Sequence, residues 1–232
     1  MTTSSGTYAF SASNGELVLA AYERINIRAP SLRQEHMLSA RRKLNFLFSE
    51  YSNKQVNLFK VIRTQTTLTQ GTATYTLPDK TIMVLDASIV LSFGTSTESR
   101  RYITPISRTE YLSFANQQTQ GPPTVYWFDR LISPTMTLWP IPDGNGPYTL
   151  DYFSVTQIQD ANLADGETPD VPYRWFDAIV AGLAHRLARI YAQPLEVVRK
   201  ADAIEAWQVA ASQDTENVDV MLAPTIGLYY RR

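Results

Sequence analysis

The apolar repeat of this chain changes period twice, and nothing else in the sequence limits the fold as strongly. Leu17, Ala21 and Ile25 recur at i, i+4 and i+8, with Val18 and Tyr22 beside them, which predicts a helix over 15–28. Ser13 offers a cap oxygen and Glu16 follows at capping-box spacing. Pro30-Ser31 ends that segment, and Ser31 to Gln34 repeats the spacing. Met37, Ala40, Leu44, Leu47, Phe48 and Tyr51 then mark one face of a second helix over 32–52.

From about 56 to 155 the repeat shortens to strand period. Val61, Ile62, Thr64, Thr66 and Leu68 before Gln70-Gly71, and Thr72 to Leu77 after it, predict a strand–turn–strand pair. Ile82 to Phe93 predicts a stronger strand, interrupted by Asp86 and closed by Gly94; Tyr102-Ile103 predicts a short one. Ser107 to Glu110 is a third capping spacing, for a short helix over 108–116. Thr124 to Phe128, Thr135 to Trp139 and Tyr148 to Val155 complete the set. They are separated by the turns Ser133-Pro134 and Asp143-Gly144-Asn145-Gly146. Strands at this spacing predict an antiparallel sheet or small sandwich.

The helical period then returns. Val171-Pro172 opens a helix with Phe176, Ile179, Val180, Leu183, Leu187 and Ile190 on one face, where Gly182 permits close helix contact. A last helix over 195–217 carries Leu195, Val198, Ala201, Ile204, Trp207 and Ala211 near one stripe. The expected fold class is α+β. Residues 1–55 and 171–219 form a four-helix bundle, residues 56–170 an inserted antiparallel β-sheet or sandwich domain, and residues 220–232 an extended C-terminal docking tail.

Composition narrows the chemistry. The chain has no cysteine, which removes disulfides, thiolate zinc sites, iron–sulfur clusters and thiol nucleophiles. A net charge of −1 argues against a DNA binder that relies on phosphate neutralisation. No apolar run approaches the ~20 residues of a membrane span, so no membrane partner is expected. The first dozen residues hold no Lys or Arg and no long apolar block, unlike a signal peptide. Charged residues stand at 19% and aromatics at 11%, a balance suited to surfaces that meet other proteins. Charge is also polarised: residues 1–60 carry eight Lys+Arg against four Asp+Glu, residues 141–219 five against thirteen. Both sets decorate solvated helix faces, or they give neighbouring subunits complementary ends.

Catalytic and cofactor motifs are missing from the sequence. His36 and His185 have no second histidine at helical spacing, and HExxH, GxSxG and GxxxxGK[ST] do not occur. No catalytic, metal or cofactor residue is therefore assigned. The loop with Asp160, Asn162, Asp165, Gly166 and Glu167 fails the register of a calcium loop, since Ala164 holds the fifth position and Val171 the twelfth. Trp127, Phe128, Asp129 and Trp139 leave open a carbohydrate or receptor platform, although consecutive aromatics on a strand face both sides of a sheet. Arg41, Arg42 and Lys43 form a solvated edge or a contact for channel DNA or an acidic partner. The apolar run from Met221 to Arg232 would expose area at roughly 25 cal/mol per Å² if free, so it is expected to dock. Its anchors would be Ile226, Leu228, Tyr229 and Tyr230, with Arg231 and Arg232 at acidic groups.

In this order of elements the chain resembles the head-to-tail adaptor proteins of tailed bacteriophages, including the tail tubular protein A group. The resemblance rests on GPPTVYWFDRLISPTMTLWPIPDGNGPYTLDYF, VPYRWFDAIVAGLAHRLARIYA, AIEAWQVAASQDTE, the YYRR ending and SNGELVLAAYERINIR. It implies a structural virion protein, not an enzyme: a homo-oligomeric ring, usually a dodecamer, that joins the portal protein to the tail nozzle or tail tube. Packaged DNA would pass through its channel without sequence-specific binding. The ring would sit at the head–tail junction after assembly in the host cytoplasm, with the C-terminal extension engaging the portal.

Overall fold

The structure, a computed structural model, describes residues 10–163 and 166–215. Two helices open the chain, α1 (Asn14–Glu23) and α2 (Gln34–Lys54). Four strands follow: β1 (Val61–Thr67), β2 (Thr74–Thr76), β3 (Thr81–Leu91) and β4 (Ser99–Pro105). After the short α3 (Arg108–Ser113) come β5 (Val125–Asp129), β6 (Thr135–Trp139) and β7 (Tyr148–Thr156), then α4 (Phe176–Tyr191) and α5 (Glu196–Ser212). The fold is α+β: N- and C-terminal helices pack together, and a curled sheet is inserted between them.

Local chemistry sets the helix ends. Ser13 Oγ accepts from the Glu16 amide while the Glu16 carboxylate accepts from the Ser13 amide at 2.7 Å, so the first capping box is complete. The third is equally complete at Ser107 and Glu110. The second is not used. Ser31 lies in a single 3-10 turn, and His36 Nδ1 accepts instead from the Arg33 amide at 3.1 Å to start α2. Helix α1 also stops before residue 28: Asn26 turns left-handed (φ 62°), and the Asn26 and Ile27 amides donate back to Glu23 and Tyr22 carbonyls. This is a Schellman stop, which asparagine supports better than most side chains.

All seven strands form one mixed sheet in the order β1-β7-β3-β4-β5-β6-β2. It is neither purely antiparallel nor a sandwich, because β4 and β5 run parallel. The expected pairing of residues 61–68 with 72–77 is also corrected: β1 pairs with β7 and β2 with β6, at opposite edges. Since β1 and β2 are consecutive in the chain, the sheet must curl to bring its edges together. The Tyr75 hydroxyl spans them, donating to the Thr69 carbonyl at 3.1 Å and accepting from its amide at 3.0 Å. A half-barrel results. Its concave side buries Ile89, Ile103, Tyr126, Leu138, Leu150 and Tyr152. The break expected at Asp86 is a register shift between Val84 and Asp86, the bend a curled sheet needs.

The helical core is built around α4, which packs against α1, α2 and α5. Ile179, Leu183 and Leu187 are fully buried there as expected, but Ile190 is exposed. The helix opens later than Val171-Pro172 suggested, because Tyr173–Trp175 forms a 3-10 turn that drives Trp175 into the core. Trp175 packs on Tyr51 and Phe59, each ring centroid 5.8 Å away, joining the helices to the approach of β1. Ile158 and Ala161, beyond β7, also lie in the helical core. Asn45 of α2 holds that segment like a paired peptide: Nδ2 donates to the Ala161 carbonyl at 3.1 Å and Oδ1 accepts from its amide at 2.6 Å. Buried Asp214 ties the end of α5 to the same junction, accepting from the Leu58 amide at 3.1 Å and Arg174 at 2.7 Å.

Candidate interaction surfaces

Helix α5 departs most from expectation. The stripe Leu195, Val198, Ala201, Ile204, Trp207 and Ala211 is split: Val198, Ala201 and Ile204 are exposed, Leu195 is half-buried, and only Trp207 and Ala211 pack on the helical core. The side turned to α4 runs through Ala203, Ala206, Trp207 and Ala210, of which only Ala210 is fully buried. Small side chains at 203, 206 and 210 recur at helical spacing and permit close approach, and that was the available signal. The solvent side consequently keeps Val197 74% and Val209 66% exposed. Scattered exposed apolar residues are ordinary; here Val197, Val198, Ile204 and Val209 lie along one helix.

On α2, Leu38, Arg41, Arg42 and Phe46 share the outward face and line a shallow groove with Asn45. Arg41 and Arg42 are exposed, whereas Lys43 is half-buried on the flank with its ammonium 5.9 Å from the Phe46 ring centroid. The structure thus brings two of the three basic residues together, and joins them to Leu38 and Phe46.

The convex side of the sheet carries an ionic network spanning β1, β7, β3 and β4. Asp151 of β7 is buried and accepts from Arg63 of β1 and Arg100 of β4, while Ser88 accepts from Arg100 at 3.1 Å. Hydrogen bonds from Arg63, then from Arg100, outweigh burial and hold the Asp151 carboxyl down at about 2. Phe153 and Tyr102 stand exposed on the same face. Sequence reasoning passed over Asp151; its only signal was a lone carboxylate inside an apolar strand.

Of the aromatics that left a carbohydrate platform open, both tryptophans pack against neighbouring rings. Trp139 stacks on Phe114 at 4.0 Å between centroids and donates from Nε1 to the Asn116 carbonyl at 3.1 Å. Trp127 meets Tyr111 of α3 at 5.7 Å. Both histidines are engaged as well, His36 against the Tyr191 ring and His185 with Glu196 at 3.1 Å. In the acidic loop, Asp170 is paired with Lys60. Among the described residues no group of three or more His, Asp or Glu stands together as metal ligands do, and no helix is long and apolar enough to cross a membrane. The residues expected to dock, Ile226, Leu228, Tyr229, Tyr230, Arg231 and Arg232, lie outside the described residues.

The family model of the SU10 adaptor protein matches residues 38–221, from the outward face of α2 to beyond α5. No curated protein matches the chain.

Proposed function

The chain belongs to the SU10 adaptor protein family, structural proteins of phages, and from that premise we propose that it acts by binding alone, as an adaptor ring between portal and tail. In this reading copies of the chain close into a ring, a dodecamer, that continues the DNA channel from the portal protein to the tail nozzle or tail tube at the head–tail junction. Closure needs two different complementary patches on each copy.

The observation that carries the proposal is α5. This 17-residue helix fully buries only Ala210 and leaves Val197, Val198, Ile204 and Val209 exposed, a face that a neighbouring copy would cover. The α2 face supports it, since arginine among apolar side chains is what protein interfaces enrich. Arg41 and Arg42 would there meet an acidic partner or the phosphates of passing DNA. Residues 221–232 would engage the portal.

Mass photometry of the protein with and without purified portal tests the reading. The expected result is a portal-dependent particle of ring mass, lost or weakened when residues 221–232 are deleted from a chain that still folds. Failure of the intact chain to associate with portal would overturn the adaptor role; unchanged attachment of the shortened chain would remove the role of the tail.

A further inference from the structure

The connection between β5 and β6, residues 130–134, sets large apolar side chains beside its turn pair Ser133-Pro134. Gly, Asn, Asp and Ser normally occupy a hairpin apex. Here Leu131 and Ile132 occupy it, and Ile132 is 96% exposed. The apex stands on a fixed base, because Pro134 is buried and its carbonyl accepts from the Leu77 amide at 2.8 Å. Arg130 beside it is exposed, with no carboxylate in ion-pair range among the described residues.

A groove of about 770 Å³ lies between α1 and the start of α4. Leu17, Phe176 and Val180 form its apolar floor, with Phe10 and Tyr173 as exposed aromatic walls. Polar groups sit on the rim, so the floor has nothing to orient a small polar ligand. Two rim cations are already matched, Arg24 to Asp177 and Arg174 to Asp214. Glu16 and Glu23 remain without a cation among the described residues, and the cap bonds from Ser13 hold the Glu16 carboxyl below its ordinary range, hence ionised.

Both features lie where the helices meet the sheet. The groove begins beside Trp175, which packs on Phe59 just before β1. The hairpin tip is at the helix-side end of the sheet, joined through Leu77 to the approach of β3, whose first residue, Thr81, pairs with Thr156 at the end of β7. A rotation axis running parallel to the strands would set the tip of one copy and the groove of the next at one level.

We infer that the β5–β6 hairpin tip of one copy, Leu131 and Ile132 with Arg130, inserts into the α1–α4 groove of the next copy, with Arg130 facing Glu23. The contact is heterologous, as a closed ring requires. It rests on the ring reading above and assigns that ring its lateral contact.

The absence of cysteine allows a clean test. Ile132→Cys and Ala20→Cys, the latter on the groove wall, are made in separate full-length chains and mixed with purified portal under mild oxidation. The expected result is a crosslinked dimer in the mixture at least tenfold above either variant alone, and a ladder from the chain bearing both. Adding Leu131→Asp should cut that yield at least tenfold; an undiminished yield would mean collision without docking and would overturn the inference. If the mixture crosslinks no better than the single variants, the inference also fails, and mass photometry of the unsubstituted chain with portal separates the cases. Particles of ring mass would leave the adaptor ring standing with a different lateral contact; their absence would remove both.

Discussion

Arg63 reaches diagonally across the β1–β7 ladder to grip Asp151 with two hydrogen bonds, Nε to Oδ1 at 2.8 Å and Nη2 to Oδ2 at 2.6 Å. The Asp151 side chain is 1% exposed, while the two arginine side chains that hold it keep nearly half their surface in water. One buried anion thus fastens β1, at the sheet edge, to β4 across two intervening strands. Asp151→Asn keeps the shape and removes the charge, and should cost about 1.5–3 kcal/mol, the range for hydrogen bonds to charged groups.

The acid limb of stability should carry the same signature. The native Asp151 carboxyl titrates at about 2, below its ordinary value of 3.8, so as pH falls the unfolded chain takes up this proton first. Its contribution is whole above the ordinary value and is lost as pH drops toward 2. Denaturant midpoints of the unsubstituted protein should fall more steeply over that window than those of Asp151→Asn. Parallel curves would show that the network adds nothing to stability.

Gly182 sits where α4 crosses α2. A Cβ there would lie 2.7 Å from Tyr51 Oη and 2.9 Å from Leu47 Cδ1. Tyr51 cannot step aside freely, since its ring is buried and its hydroxyl donates to the Ala178 carbonyl at 2.9 Å. Alanine gains roughly 1 kcal/mol of helix propensity over glycine, but overpacking costs about 1–3 kcal/mol or more. Gly182→Ala should therefore lower Tm, and an unchanged or higher Tm would mean the helices separate without cost.

The same glycine shows what the sequence makes legible. Period and caps locate helices because they are local, and Ser13 with Glu16 and Ser107 with Glu110 behave as their spacing says. The order of strands is not local. Nothing in residues 61–77 states that β1 belongs with β7 and β2 with β6; that follows from closing a curled sheet. Even a correct helix can be assigned the wrong face. On α5 the β-branched residues Val197, Val198, Ile204 and Val209 mark the outer side, while Ala203, Ala206 and Ala210 with Trp207 mark the inner one, because a crossing close to α4 selects small side chains along most of its length. Of the candidate sites, the exposure of Arg41 and Arg42 was legible, while their grouping with Leu38 and Phe46 requires the helix to be placed against its neighbours.

Asn45 provides a local test of how the segment after β7 is held. Its amide supplies both a donor and an acceptor to Ala161. Asn45→Ala should cost about 1–3 kcal/mol through two unpaired groups in a partly buried setting. Hydrogen exchange at the Ala161 amide should speed up more than at amides of α4. Uniform acceleration would mean that the segment opens only with the whole helical core.

The face of α5 separates folding from assembly. Val197 and Ile204 are 74% and 50% exposed, so aspartate at both positions removes little packing from the lone chain. Surface changes of that kind usually stay within about 0.5 kcal/mol each, which for a chain of this size is a shift of only a few degrees in Tm. An assembly that buries this face would instead have to desolvate two carboxylates against apolar surface. The double variant Val197→Asp and Ile204→Asp should therefore melt near the unsubstituted protein yet fail to form portal-dependent particles of ring mass. Normal particles from the double variant would show that α5 faces solvent in the assembly, and would remove the observation on which the adaptor reading rests most directly.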